Sequence, residues 1–133
     1  MNLRDHRTRK YMCREIDISL DRLTWLFRFK ETYRKAPLPT IYEKRGWKII
    51  YDKKQTDDFV EAVKKFESEH MDIFEVSEHL SVSLSTLYRT TKTNIVFSVP
   101  LHNAEKVDGL WWWKRAEVIE CRKNIHDVGR DIA

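Results

Sequence analysis

Glycine and proline are scarce, at three each in 133 residues. That leaves almost nothing from which to build a phosphate-cradling loop or the many tight turns of a β-sandwich. No Gly-x-x-x-x-Gly-Lys-[Ser/Thr], Gly-x-Gly-x-x-Gly or His-Glu-x-x-His motif occurs, so nucleotide-cradle and zinc-hydrolase chemistry have no footing here. Cys13 and Cys121 are the only cysteines, and none of the five histidines stands three or four residues from another, which predicts no metal site and two free thiols, the state of a reducing compartment. Asp57-Asp58 is a pair of carboxylates, but an acidic first helical turn explains it better than metal-dependent phosphoryl chemistry. No catalytic residue and no cofactor is expected. No apolar run approaches the roughly 18–20 residues of a membrane span, and residues 1–10 are too charged for a secretory signal. The sequence therefore predicts a soluble cytoplasmic protein without membrane contact.

What is present is charge and apolar spacing. Hydrophobic residues make up 41% and charged residues 35%, enough of the first to fold and, with so few breakers, a composition that predicts mostly helix. The net charge of +4 and pI near 9.1 suit a polyanionic partner. The charge is unevenly spread: residues 1–66 hold 17 basic against 10 acidic residues, or +7, and residues 67–133 hold 8 against 11, or −3.

The most structured stretch lies in residues 71–121. Asp72 precedes Ile73-Phe74-Glu75 as a cap with a capping-box acid, and the helix it opens is predicted to reach His79. Ser83 caps a second helix reaching about Lys92, so the two are joined by a turn of a few residues. That is a helix-turn-helix pattern, in which the second helix stands proud of the surface and can enter a DNA major groove. Ser85, Thr86, Tyr88 and Arg89 are its predicted outward residues. An extended return over residues 93–100 leads to a hairpin with Gly109 in its turn and Lys106 in its arm. Trp111-Trp112-Trp113 then form a strand, with Trp111 and Trp113 on one face and Trp112 on the other. A last helix runs from Arg115 to about Ile125, and residues 127–133 are a tail.

This order of parts resembles the winged helix-turn-helix of phage excisionases, AlpA-type regulators and the DNA-binding domains of the MerR family. Val82-Ser83-Leu84-Ser85-Thr86-Leu87-Tyr88-Arg89 corresponds to the recognition helix, Pro100 to the proline bend, Gly109 to the wing tip, Trp111-Trp112-Trp113 to the aromatic strand and Arg115-Ala116-Glu117-Val118 to the closing helix start. The resemblance covers about the second half of the chain and implies DNA binding without catalysis.

The first half repeats the pattern. Ser19 precedes Leu20 and Leu23 as Ser83 precedes Leu84 and Leu87, Ile16 and Ile18 match Leu80 and Val82, Pro39 stands in for Pro100 and Gly46 for Gly109. The predicted recognition helix ends near residues 33–35, ahead of Pro37. A hairpin pairs residues 41–44 with a strand in which Trp47, Ile49 and Tyr51 face inward, its tip formed by Glu43, Lys44 and Arg45. Thr56 is read as the cap of a helix from Asp57 to about His70. Residues 1–10, with Arg4, Arg7, Arg9 and Lys10, read as a mobile basic arm able to track phosphates or a minor groove.

The fold class expected is thus mainly α with short β-hairpin wings: a basic arm over 1–10, a first winged-helix-like unit over 11–70, a second over 71–126, and a tail. The function expected is sequence-specific binding of double-stranded DNA, as a bacteriophage or mobile-element excisionase-like architectural factor or transcriptional regulator at the nucleoid. One chain would cover adjacent grooves, or a dimer would read a palindrome. Arg22, Trp25, Arg28, Lys44 and Arg45 in the first unit and Ser85, Thr86, Tyr88, Arg89 and Lys106 in the second are the candidate DNA contacts. The alternative is a non-catalytic adaptor or inhibitor on a winged-helix fold, binding a protein through its acidic half.

Overall fold

The computed structural model describes residues 7–132, with side chains described through residue 126. The chain is mainly α with short antiparallel strands, and it divides into two compact units, the first ending at Phe66 and the second beginning at Glu67.

In the first unit, Thr8 caps α1 (Arg9–Ile16) by accepting from the Tyr11 amide. Asp17 ends the helix in the left-handed region, φ 53°, and the Asp17 and Ile18 amides both close onto the Cys13 carbonyl. Ser19 then accepts from the Arg22 amide and starts α2 (Leu20–Phe29). The second unit builds the same joint with different residues. Asp72 caps α4 (Ile73–Leu80), Ser81 stops it at φ 55° with its amide on Ser77, and Ser83 starts α5 (Leu84–Thr93). Each such cap stabilises its helix by about 1 kcal/mol, so the three-residue turn is specified twice over.

After each second helix comes a hairpin of the smallest kind. In the first unit β1 (Thr32–Tyr33) pairs with β2 (Ala36–Pro37), and in the second β6 (Ile95–Val96) pairs with β7 (Val99–Pro100). The two central residues of each turn, Arg34-Lys35 and Phe97-Ser98, all have positive φ. That is the backbone of a type I′ turn made without glycine or asparagine. It corrects two expectations: α2 stops at Phe29, short of residues 33–35, and the register Thr32↔Pro37 against Ile95↔Pro100 makes Pro37 the counterpart of Pro100. Pro39 is buried elsewhere.

A longer hairpin and a helix complete each unit. In the first, β3 (Ile41–Arg45) pairs with β4 (Lys48–Tyr51) and leads to α3 (Lys53–Glu69). In the second, β8 (Glu105–Val107) pairs with β9 (Leu110–Lys114), which also pairs with β5 (His70–Asp72), before α6 (Arg115–Ile132). The turns obey their glycines. Gly46 opens a two-residue turn at φ 60°, and Asp108-Gly109 take φ 54° and 78°. The third strand of the second sheet has a trace in the first unit, where the Tyr51 amide donates to the Arg7 carbonyl at 2.8 Å.

Three other expectations change. α3 begins at Lys53, because Asp52 accepts from the Gln55 amide through its side chain and from Thr56 through its carbonyl; Thr56 is a fully buried residue inside the helix, not its cap. Residues 7–10 are not a mobile arm. Arg7 is paired with Asp57 at 2.7 Å and lies over the Tyr11 ring, and Arg9 and Lys10 belong to α1; residues 1–6 lie outside the described residues. Nor is residue 127 onward a separate tail, since α6 continues to Ile132: that segment has no proline, and its one glycine costs a helix only about 1 kcal/mol.

Each unit has its own core. Met12, Ile16, Leu23, Leu26, Tyr51, Phe59 and Val63 centre the first, and Ile73, Val76, Leu87, Val96, Leu101, Trp113 and Val118 the second. Trp112 and Trp113 are both buried, at 3% and 0% exposed, while Trp111 is half-buried. The buried pair are sequence neighbours because β9 is the central strand of its sheet and is covered on both faces at this register. Cys121 also sits in this core, and burial pushes its thiol up to about 11. A thiol held protonated and inaccessible reacts slowly. Cys121 should therefore resist a thiol reagent at pH 8 in the native protein and react fully once denaturant is added, with the half-buried Cys13 reacting first. Prompt native labelling of both thiols would show that the second core opens readily.

Candidate nucleic-acid interface

α2 buries Leu23 and Leu26 and leaves its opposite side to solvent. That side is a ladder of rings and cations. Trp25 and Phe29, 39% and 60% exposed, have centroids 5.6 Å apart. The Arg22 guanidinium lies 4.9 Å and the Lys30 ammonium 5.6 Å from the Trp25 ring, and Arg28 lies 5.3 Å from Phe29. Such contacts are worth about 0.5–1 kcal/mol at exposed positions. They hold the charged groups against the helix without neutralising them, so this surface offers phosphate- and base-binding groups together. Arg22, Trp25 and Arg28 are thus brought onto one exposed surface.

The wing residues are arranged differently from the sequence expectation. Lys44 and Arg45 are exposed on β3, but the tip itself is Gly46-Trp47, and Trp47 is 95% exposed rather than part of the inward face. A register shift between Ile41 and Glu43 accompanies the change of face, and the buried residues of β4 are Ile50 and Tyr51. Arg45 is not a bare cation: its Nε donates to Glu43 at 3.0 Å, and that hydrogen bond and charge raise the guanidinium pKa further. A phosphate would compete with this exposed carboxylate for the same donor.

In the second unit Ser85, Tyr88 and Arg89 are exposed on α5, with Tyr88 48% exposed. Thr86 is half-buried and its hydroxyl lies 2.9 Å from Ser83 Oγ, so it belongs to the cap as much as to the surface. Lys106 is exposed on β8, opposite Trp111 in the register. Two features were missed in the sequence. Phe29 escaped notice because it follows the apolar spacing of a core position. Trp47 was assigned to the inward face because it precedes an apolar strand, and its neighbour Gly46 was the signal that it lies in a turn.

Among the described residues no group of three His, Cys, Asp or Glu side chains could hold a metal ion, and no helix is long and apolar enough to cross a membrane. Compared with family models, curated proteins and solved structures, the chain matches none.

Proposed function

We propose that this protein binds double-stranded DNA, without catalysis, through two winged helix-turn-helix units in tandem. In that reading it serves a bacteriophage or other mobile element as an excisionase-like architectural factor or small transcriptional regulator. The observation that carries the reading is the repetition of one joint. Twice, a helix stopped by a left-handed residue is followed by a serine-capped helix with an exposed face, then by two hairpins and a closing helix. A second helix displayed in this way is what a major groove accepts. Arg22, Trp25 and Arg28 on α2 and Ser85, Tyr88 and Arg89 on α5 are its readers, flanked by Lys44, Arg45 and Lys106 from the longer hairpins.

A protein partner is the second reading, favoured by one observation. The second unit exposes Tyr88, Ile95 and Phe97 beside its helix-turn-helix while residues 67–133 carry −3, and an acidic surface repels phosphate. Fluorescence anisotropy of a labelled duplex at two salt concentrations separates the readings. DNA binding requires affinity to fall with salt, by close to one unit of logarithmic slope for each phosphate neutralised. A chain that leaves random and genomic duplexes unbound even at low salt is an adaptor instead.

A further inference from the structure

Between α1, the N-terminal half of α2 and the start of β4 lies a cleft of about 510 Å³, whose lining does not include Arg22, Trp25 or Arg28. Arg9, Lys10, Arg14 and Lys48 line it together with Thr24 and Trp47, and none of the described residues lining it is acidic. Some cations elsewhere in this unit have carboxylate partners: Arg7 has Asp57, Arg45 has Glu43 and Lys64 has Glu15. Among the described residues, the cleft's cations have none. Half-buried Arg9 donates to the Tyr51 hydroxyl at 2.8 Å, lies 3.5 Å from the Thr24 hydroxyl and faces the Phe27 ring at 5.5 Å. Among the described residues, Arg14 and Lys48 have no hydrogen-bonded or ion-paired side-chain partner. Four cations face one space with no acidic group among the described residues lining it, and at its edge stands an indole that is 95% exposed.

The second unit shows that the fold does not require this. Sixty-four residues on from Arg9, Lys10 and Arg14 stand Ile73, Phe74 and Glu78, and 63 on from Trp47 and Lys48 stand Leu110 and Trp111. The same order of elements forms with no basic residue at any of these places. What the scaffold can do without in one copy is there in the other for a ligand.

We infer that this cleft is a binding site for single-stranded nucleic acid, its cations meeting consecutive phosphates while an unpaired base stacks on Trp47. Cationic grooves with an exposed ring bind single strands in this way, since every base offers a π-face. A base paired inside a duplex has both faces occupied by its neighbours and cannot stack on Trp47, so the site discriminates against the interior of an intact duplex. It goes beyond the duplex reading, which uses Arg22, Trp25 and Arg28, none of which lines the cleft. A protein holding a duplex on one face and an unpaired strand beside it suits a junction, a nick or a strand end.

The test uses the full chain and two labelled probes, an oligothymidylate of about ten nucleotides and a blunt duplex, titrated at low salt. Trp47→Ala should weaken the oligothymidylate about tenfold, the effect of losing one stacked base. Arg14→Glu combined with Lys48→Glu should remove its binding and leave the duplex within about a factor of two, while Trp47→Ala should weaken the duplex clearly less than it weakens the oligothymidylate. All these side chains are at the surface, and circular dichroism verifies that the variants fold. The inference is overturned if the wild type does not bind oligothymidylate, if the variants bind it as the wild type does, or if they weaken duplex and oligothymidylate equally, which would make the cleft part of the duplex surface. Failure of the duplex reading shows separately, as a wild-type chain that ignores the blunt duplex.

Discussion

Trp113→Ala should cost the second unit about 3–5 kcal/mol. Trp113 is the largest fully buried side chain in the protein and joins β9 to the helices, packing with Ile73, Val76, Leu87 and Val118 in one cluster. A unit of this size has only a few kcal/mol of net stability to lose, so the substitution removes most of it. The expected result is loss of hydrogen-exchange protection in residues 70–72 and 110–114, which β9 pairs together. Trp113→Phe is the informative control. The indole Nε1 is buried without a hydrogen-bond partner among the described residues, and such a group costs about 1–3 kcal/mol. Phenylalanine gives up some volume but also this unsatisfied donor, so its net cost should be far smaller than that of alanine. Equal losses for the two would mean that Nε1 has a partner after all, and an alanine variant as stable as the wild type would remove Trp113 from its central place in the core.

Much of this architecture was legible in residues whose chemistry is local. Ser19, Ser83 and Asp72 mark helix starts because a short side-chain oxygen satisfies an amide within three residues, a geometry that needs no tertiary context. Gly46 and Gly109 mark turns for an equally local reason. Where several local signals compete, the reading slips. Asp52 and Thr56 are both acceptable caps four residues apart, and burial of Thr56 in the core decides between them. Arg34-Lys35 and Phe97-Ser98 adopt left-handed conformations that their identities disfavour, so the small hairpins could not be read from propensity. Pro39 was preferred to Pro37 for the same reason, because the pairing that selects Pro37 runs through that unsuspected turn.

The candidate site was legible in its helices and less so in its wing. Exposure of Arg22, Trp25 and Arg28 follows from the periodicity of α2, whose buried side is set by Leu23 and Leu26. Alternation along β4 gave the wrong result at Trp47, since a residue in a turn belongs to neither face of the strand it precedes. Arg9 and Lys10 were hidden by their neighbours, because a run of charge near a chain end looks solvated whether or not a helix begins inside it. The Thr8 cap was the sign that one does.

The tandem repeat provides its own control for the role of charge, and it yields the second large effect. Lys92 stands 64 residues after Arg28, at the same place in the second unit's α5 that Arg28 occupies in α2, and Lys106 occupies the longer hairpin of that unit as Arg45 does of the first. Arg28→Glu with Arg45→Glu therefore makes the same formal change, on the corresponding helix and the corresponding hairpin, as Lys92→Glu with Lys106→Glu. The surroundings differ. Residues 1–66 carry +7, and α2 and β3 add Arg22 and Lys44 around the altered pair. Residues 67–133 carry −3, where phosphates are already repelled. Affinity from counterion release scales with the phosphates actually neutralised, so the first double variant should lose at least about a hundredfold in duplex affinity near physiological salt, with the salt slope falling by about two. The pairing of Arg45 with Glu43 sharpens the effect, because Arg45→Glu places two carboxylates side by side where one was neutralised. The second double variant should lose only a few-fold. Both can be compared by anisotropy on one duplex, with circular dichroism to confirm folding. Equal losses would mean that the two units grip DNA as equals despite their formal charges, and a larger loss in the second would place the main contact on α5 and leave α2 and its rings to another partner.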